Sequence, residues 1–435
     1  MRDYILVAFV LACIPFILRR PYIGILLWCV FSYMNPHRYT YGFAFEFQFA
    51  AIIAGATIAG LLFSKESKYI PWNSLTIVWA IFIFWMCLTT LFALVPQDAY
   101  PEWDRSMKIQ LMTFITIILM TTRERLHALV WAIVVSLGFF GIKGGLFTLS
   151  TGGQDMVWGP PGSFIEGNNS LGLALVMTLP LMRYLQLNTS SFMIRHGISA
   201  VMILTVLSIF ASYSRGAVLA VAAMGLFLLF KSRNKGPIIM MALVAVPIML
   251  SFMPEEWFER LHTIKTYEQD ASALGRINAW WFAFNVAVAR PLVGGGFEVF
   301  DPALFQRYAP VPDDFHDAHS IYFQVLGEHG FVGLILFMLL GWLTFRSAAW
   351  VIRHTKELAE LTWARDLASM VQVSIIGYAV GGAFLGLAYF DLYYHLVALV
   401  LLTRIYVTRE LANPEVTVRP PIEKRALYEE GRGEG

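Results

Sequence analysis

The chain has 435 residues, 57% of them hydrophobic and only 14% Asp, Glu, Lys or Arg, against roughly 25% charged residues in an ordinary soluble domain. With a mean hydropathy of +0.61, it is built for lipid, which argues against a soluble globular enzyme. The net charge of +2 selects no partner, and no basic stripe with interleaved aromatics points to nucleic acid.

Apolar runs near membrane-spanning length succeed one another along the chain. A span needs roughly 20 apolar residues. Candidates occupy 4–18, 23–34, 47–63, 74–94, 107–122, 126–149, 170–185, 197–213, 216–230, 237–253, 331–352, 368–390 and 392–407. The first two are short. The expectation is therefore an all-α polytopic membrane protein with about twelve transmembrane helices. The first run ends in Arg19-Arg20-Pro21 rather than a small-residue cleavage site, so it is expected to stay in the mature protein. Cys13, Cys29 and Cys87 all fall inside apolar runs without metal-ligand spacing and read as packing residues.

Orientation follows the basic residues. Arg19-Arg20, Lys65/Lys68, Arg123/Arg125, Arg195, Lys231/Arg233/Lys235 and Arg353/Lys356/Arg365 mark alternate loops, expected to be cytoplasmic. The connections 96–103 and 151–169 then face outside, as does a large polar stretch from Glu255 to Glu328. The domain boundaries read as N-terminal transmembrane helices 1–253, an outer loop 254–330, C-terminal transmembrane helices 331–407 and a polar, disordered cytoplasmic tail 408–435. Within the loop, 276–289 has helical composition with Trp280, Trp281 and Phe284 on an apolar side, then Arg290-Pro291 and Gly294-Gly295-Gly296. Such a helix suits a membrane interface.

Four constellations can carry chemistry. Ser214-Arg215-Gly216 stands at the outer junction of two spans. An arginine fork there suits a phosphate oxygen pair, or it snorkels to headgroups. His319, one turn after His316 and Asp317, starts the return to the membrane and can accept a proton near neutral pH. A third metal ligand at suitable spacing is not visible, so no metal and no cofactor are expected. Arg276 with Trp280, Pro291, Gly294 and Gly296 is weak alone. Asn168 and Asn169, after a Gly-Pro-rich loop, can bind sugar hydroxyls or cap the next helix, capping being the commoner use. His262 and His316 read as ordinary loop residues.

In order and membrane context, these pieces resemble the O-antigen ligase/polymerase superfamily. The shared pattern is Ser214-Arg215-Gly216, then Arg276 with Trp280, then Pro291, Gly294 and Gly296, then His319, Tyr322, Leu326, Glu328, Gly330 and Gly333. The likeness covers about 170–407. Ser320 stands where many members carry Asn. The run from Arg19 to Arg38 is similar to a ligase subgroup associated with exosortase systems, which leaves the acceptor open.

The resemblance implies a GT-C-like glycosyltransferase in a Gram-negative inner membrane, its large loop periplasmic, acting as a monomer. It implies a donor glycan on undecaprenyl diphosphate, a lipid A-core acceptor, inversion and no metal. Carried over, Arg215 and Arg276 hold the diphosphate with Arg290 as a weaker third, and His319 activates or positions the acceptor hydroxyl. Ser214, Ser320, Tyr322, Glu328, Asn168 and Asn169 are candidate substrate contacts, and Glu328 or Asp317 can pair with His319. The alternatives are a polymerase extending the same repeats, a ligase with another acceptor, and a transporter or flippase. The last needs midplane charges and broken helices, for which Lys143 with Gly141 and Gly144-Gly145 is the best candidate.

Overall fold

A computed structural model describes residues 1–231, 236 and 271–412. The expected span 237–253, His262 and the tail beyond 412 lie outside the described residues. Those that are described are helical, with no strand among them. Helices α1 (Arg2–Arg19), α2 (Tyr22–Met34), α3 (Phe49–Phe63), α4 (Ser74–Leu91), α5 (Pro96–Leu119) and α6 (Arg123–Thr151) form the first half. After these come α7 (Asn168–Leu187), α8 (Phe192–Phe210), α9 (Arg215–Lys231), α10 (Ala271–Ala289), the short α11 (Pro302–Tyr308), α12 (Ile321–His354), α13 (Thr362–Gly381) and α14 (Asp391–Leu411).

Six elements among the described residues are long and apolar enough to cross a membrane: α4, α6, α7, α8, α12 and 359–384, which contains α13. The protein is thus a polytopic membrane protein. Helices α2 and α3 are apolar but shorter.

Local chemistry sets the helix ends. Asn73 accepts from the amides of Leu75 and Thr76 to start α4, and Ser191 accepts from Ile194 to start α8, each satisfying amides left open in a first turn. Side-chain size sets the packing. A Cβ at Gly141 or Gly144 would lie 2.1 Å from the hydroxyl of Thr205 or Ser208, and one at Gly145 would lie 2.4 Å from the Leu204 carbonyl oxygen. Small residues let α6 and α8 approach closely, as lipid-embedded helices require. These glycines therefore pack an unbroken helix, and Lys143 sits over the Tyr39 ring at 4.9 Å. Most of α7 and α14 is buried, which makes them the centre of the bundle.

The bundle has two chemically distinct ends. One is basic and tied by polar bonds. Arg125 forks onto Glu66 at 2.7 and 3.0 Å, and Lys231 donates to Gln372 at 2.6 Å. The other end gathers the starts of α7, α9, α12 and α14 and the turns around them. All four non-glycine residues with positive φ among those described, Asn35, Tyr213, Glu298 and His319, lie there. Strained backbone of this kind costs of order 1–3 kcal/mol per residue and clusters where function demands a geometry.

Three helix boundaries differ informatively from expectation. Helix α5 begins at Pro96, not near 107; Pro96 sits in the first turn, where no amide is needed. Helix α12 begins ten residues before the expected 331 and is interrupted at Gly330 (φ 69°, ψ −170°). The expected span 368–390 stops as an α-helix at Gly381, and after a single 3-10 turn at Gly382–Phe384 the chain is irregular to 390.

The glycine run after Arg290 packs on the α12 interruption. The amides of Gly295 and Gly296 donate to the Gly327 and Glu328 carbonyls at 2.8 Å, and Phe331 donates to Pro291 at 3.0 Å. A Cβ on Gly330 would lie 2.6 Å from the Leu292 carbonyl oxygen, at a φ that L side chains rarely adopt. Gly330→Ala is therefore expected to destabilise the detergent-solubilised protein by about 1–3 kcal/mol. Gly225→Ala, where nothing lies within 4 Å, should not destabilise it. Thermal unfolding of the two variants checks the pair.

Candidate functional site

The site forms where the turn 382–386 meets three helix starts. At α9, Tyr213 adopts φ 55°, and Ser214 accepts a bond from the Ala217 amide at 3.2 Å. That cap aims the first turn, with the half-buried Arg215 at its head. Gly216 allows this turn to lie against Phe384 and the Gly381 carbonyl. Asn168 donates to the Ser212 carbonyl at 2.7 Å, so it ties α7 to this junction rather than capping its own helix. Gly167 occupies that N-cap position.

Helix α10 contributes Arg276 and Trp280. The Trp280 indole N–H donates to the Ala318 carbonyl at 2.8 Å, and its ring stacks on Phe323 at 5.0 Å and 8°. Phe384 lies 6.5 Å from the same ring. Asn278 clamps the following loop, donating to the Val311 and Asp314 carbonyls and accepting from the Val311 amide, all within 2.9 Å. Gly275 leaves room for the His316 ring, which pairs with Asp314 at 3.0 Å. The sequence reading used Trp280 as a motif landmark but missed Asn278. A polar residue two positions from Arg276 on an apolar helix was the available signal.

His319 sits at φ 41° against Gly386 and is half-buried. Burial lowers its pKa below the usual value of 6.5, and the neighbouring Arg276 lowers it further. Asp317 opposes the shift and His316 adds slightly to it. The imidazole is therefore neutral at pH 7 and able to accept a proton. Ser320, next to it, is buried, and its hydroxyl makes no hydrogen bond among the described residues.

Not every candidate converges here. Arg290 lies fourteen residues beyond Arg276, just past the end of α10 and about 20 Å along its axis, and donates to the Phe92 carbonyl at 2.5 Å. It fastens the end of α10 to the end of α4. Tyr322 spends its hydroxyl on the Ala379 carbonyl at 2.7 Å. Glu328 is buried; it accepts from the Tyr389 hydroxyl and from the Glu298 amide, so its oxygens are engaged away from His319. Asn169 is half-buried at the α7 start.

A second set of charges is carried by the polar first half of α5 and by Glu298. Arg105 pairs with Glu102 at 3.6 Å and covers the Phe164 ring at 3.4 Å. Burial raises the Glu102 pKa to about 7, Arg105 opposing and Glu298 adding to the rise. Glu298 is also raised, by loss of water and then by Asp317 and Asp98, with Arg105 opposing. Asp317 thus acts both on His319 and on Glu298. Among the described residues no three His, Cys, Asp or Glu side chains are grouped as a metal site.

Residues 200–338, which hold Arg215, Arg276 and His319, match the O-antigen ligase family. The match over that segment supports an O-antigen ligase-family protein. The order of arginine, arginine and histidine expected from the resemblance falls inside the matched segment. Residues 1–190 match a second family, described only as one of unknown function. A comparison with curated proteins gave no match. At a coarse level the match supports an enzyme of the glycosyltransferase-like, ligase/polymerase type, with lipid-linked glycan and lipid as partner classes.

The charge pattern around His319 predicts the direction of its titration. Modification by diethyl pyrocarbonate, which attacks neutral imidazole, should stay rapid at His319 below pH 6.5 and fall only at lower pH. Arg276→Gln removes a cation and should move that fall to higher pH. Asp317→Asn removes an anion and should move it lower. Mass spectrometry of the His319 peptide across a pH series checks both shifts.

Proposed function

We propose that the protein transfers a glycan from undecaprenyl diphosphate to a sugar hydroxyl at the periplasmic face of a bacterial inner membrane, inverting the linkage and using no metal. The observation that carries this reading is the neutral, half-buried His319 beside Arg276, on the same turn that receives the Arg215 helix start. This reading takes one base and two cations as a single site at the polar end of the bundle.

In this mechanism the donor's polyprenyl chain lies along the helices and its diphosphate meets Arg215 and Arg276. The acceptor oxygen attacks the anomeric carbon from the face opposite the diphosphate. As the new carbon–oxygen bond forms, the bond to the diphosphate oxygen breaks and that oxygen keeps the electron pair. His319 takes the acceptor proton. The leaving group gains negative charge, which two preorganised guanidinium groups in a partly dry site are suited to stabilise. A divalent cation would otherwise do that work. Arg290, fixed at the far end of α10, has no part in it.

Ligase rather than polymerase is the preferred reading because the matched family is an O-antigen ligase family. With purified protein, lipid-linked donor and rough lipopolysaccharide, Arg215→Ala and Arg276→Ala should each lower transfer by about 10²-fold or more. Wild-type transfer should persist in EDTA. A chelator-sensitive reaction restored by Mg²⁺ contradicts the metal-free mechanism. In a deletion strain, a gel showing bare core beside accumulated lipid-linked glycan is the expected result. Core bearing one repeat would instead mean a polymerase.

A further inference from the structure

The site is electrically divided. Arg215 and Arg276 make one side positive. Phe164 lies 6.4 Å from Phe390, on the turn whose Gly386 packs against His319, and beside that ring stand Arg105 and Glu102, with Glu298 and Asp317 as the neighbouring acids. A diphosphate is repelled by carboxylates, so that second side does not serve the donor's charge. Carboxylates accept hydrogen bonds from hydroxyl groups, and an aromatic ring supplies an apolar face. Arg105 pairs with Glu102 at 3.6 Å and lies over the Phe164 ring at 3.4 Å, which joins the carboxylate and the ring through one guanidinium. Glu298 keeps a positive φ of 52° because its amide is bonded to Glu328, so its carboxylate is carried on a fixed backbone. The buried Ser320 hydroxyl beside His319, unbonded among the described residues, adds one more group able to meet a polar ligand.

Glu102, Arg105 and Phe164 lie in the 1–190 segment that matches a family of unknown function. Glu298 and His319 lie in the O-antigen ligase segment. We propose that Glu298, Glu102 and Phe164 form the acceptor side of the site, so that the N-terminal segment reads the sugar that receives the glycan. This rests on the transfer reaction above and names the residues that choose its second substrate. The donor and acceptor are thus recognised by opposite charges on the two sides of one histidine.

The test separates the two substrates. Transfer from an undecaprenyl-diphosphate glycan to rough lipopolysaccharide with an uncapped sugar core is measured while each is varied in turn. Phe164→Ala, Glu102→Gln and Glu298→Asn should each raise the KM for the lipopolysaccharide by about tenfold, as loss of a hydroxyl or ring contact does. The KM for the donor should stay within twofold. Asn is chosen at 298 because it tolerates positive φ, and Phe164→Tyr, which keeps the ring, should restore the wild-type value. An unchanged acceptor KM in Phe164→Ala and Glu102→Gln overturns the proposal, as does an equal rise in both KM values. A wild type that releases undecaprenyl diphosphate to water but glycosylates no core sugar also overturns it. Release of no undecaprenyl diphosphate at all fails the transfer reading itself, so the two failures differ in their products.

Discussion

The bond on which the site depends is the one from the Trp280 indole to the Ala318 carbonyl. It joins two segments far apart in sequence, helix α10 and the polar loop leading into α12. Stacking of the same ring on Phe323 fixes the rotation of α10, and the Asn278 clamp on the 311–314 loop fixes its position. With both set, Arg276 lies beside His319 and the loop carries Asp317 between two charge fields. An indole suits this task because it offers a large apolar surface with one donor at its edge. Loss of that donor would leave the loop free to turn His319 away without unfolding the bundle.

The second constraint is the cost of ionisable groups at a lipid boundary. Charged side chains inside a membrane are expensive and mark function when they occur. This chain meets that cost by collecting its chemistry at one end of the bundle and keeping the long helices apolar. Interrupting α12 at Gly330 and ending α13 at Gly381 opens that end. Irregular backbone at this level needs partners for its polar groups. The amides of Gly295 and Gly296 and the carbonyls they meet supply them. The glycines after Arg290 therefore complete the break in α12.

Much of the architecture was legible from apolar run length alone. The starts and ends of α2, α3 and α9 fall within two residues of expectation, because hydropathy measures what lipid selects. Boundaries failed where polar backbone replaces helix under tertiary control, at 382–390 and at Gly330. Arg215, Arg276 and His319 could be named from residue type and motif order. Arg290 was read as a weaker third from sequence, and its place just past the end of α10, bonded to the Phe92 carbonyl, gives the physical reason to set it apart. Glu102, Arg105 and Glu298 were invisible for the opposite reason: they are distant in sequence and ordinary in type. Their raised carboxyl pKa values arise from burial and from one another, which no local pattern encodes. Tyr322 and Glu328 belong to the motif yet bond to the scaffold, so membership of a motif did not distinguish support from contact.

The central claim is that His319 acts on the acceptor proton and that the arginines act on the donor. Single-turnover transfer by His319→Ala protein, at saturating donor and acceptor, tests it most directly. The account predicts that this variant still binds the undecaprenyl-diphosphate donor with near wild-type affinity while its transfer step slows by about 10²–10⁴-fold. A transfer step at the wild-type rate, or a loss of donor affinity that explains the whole defect, would contradict it.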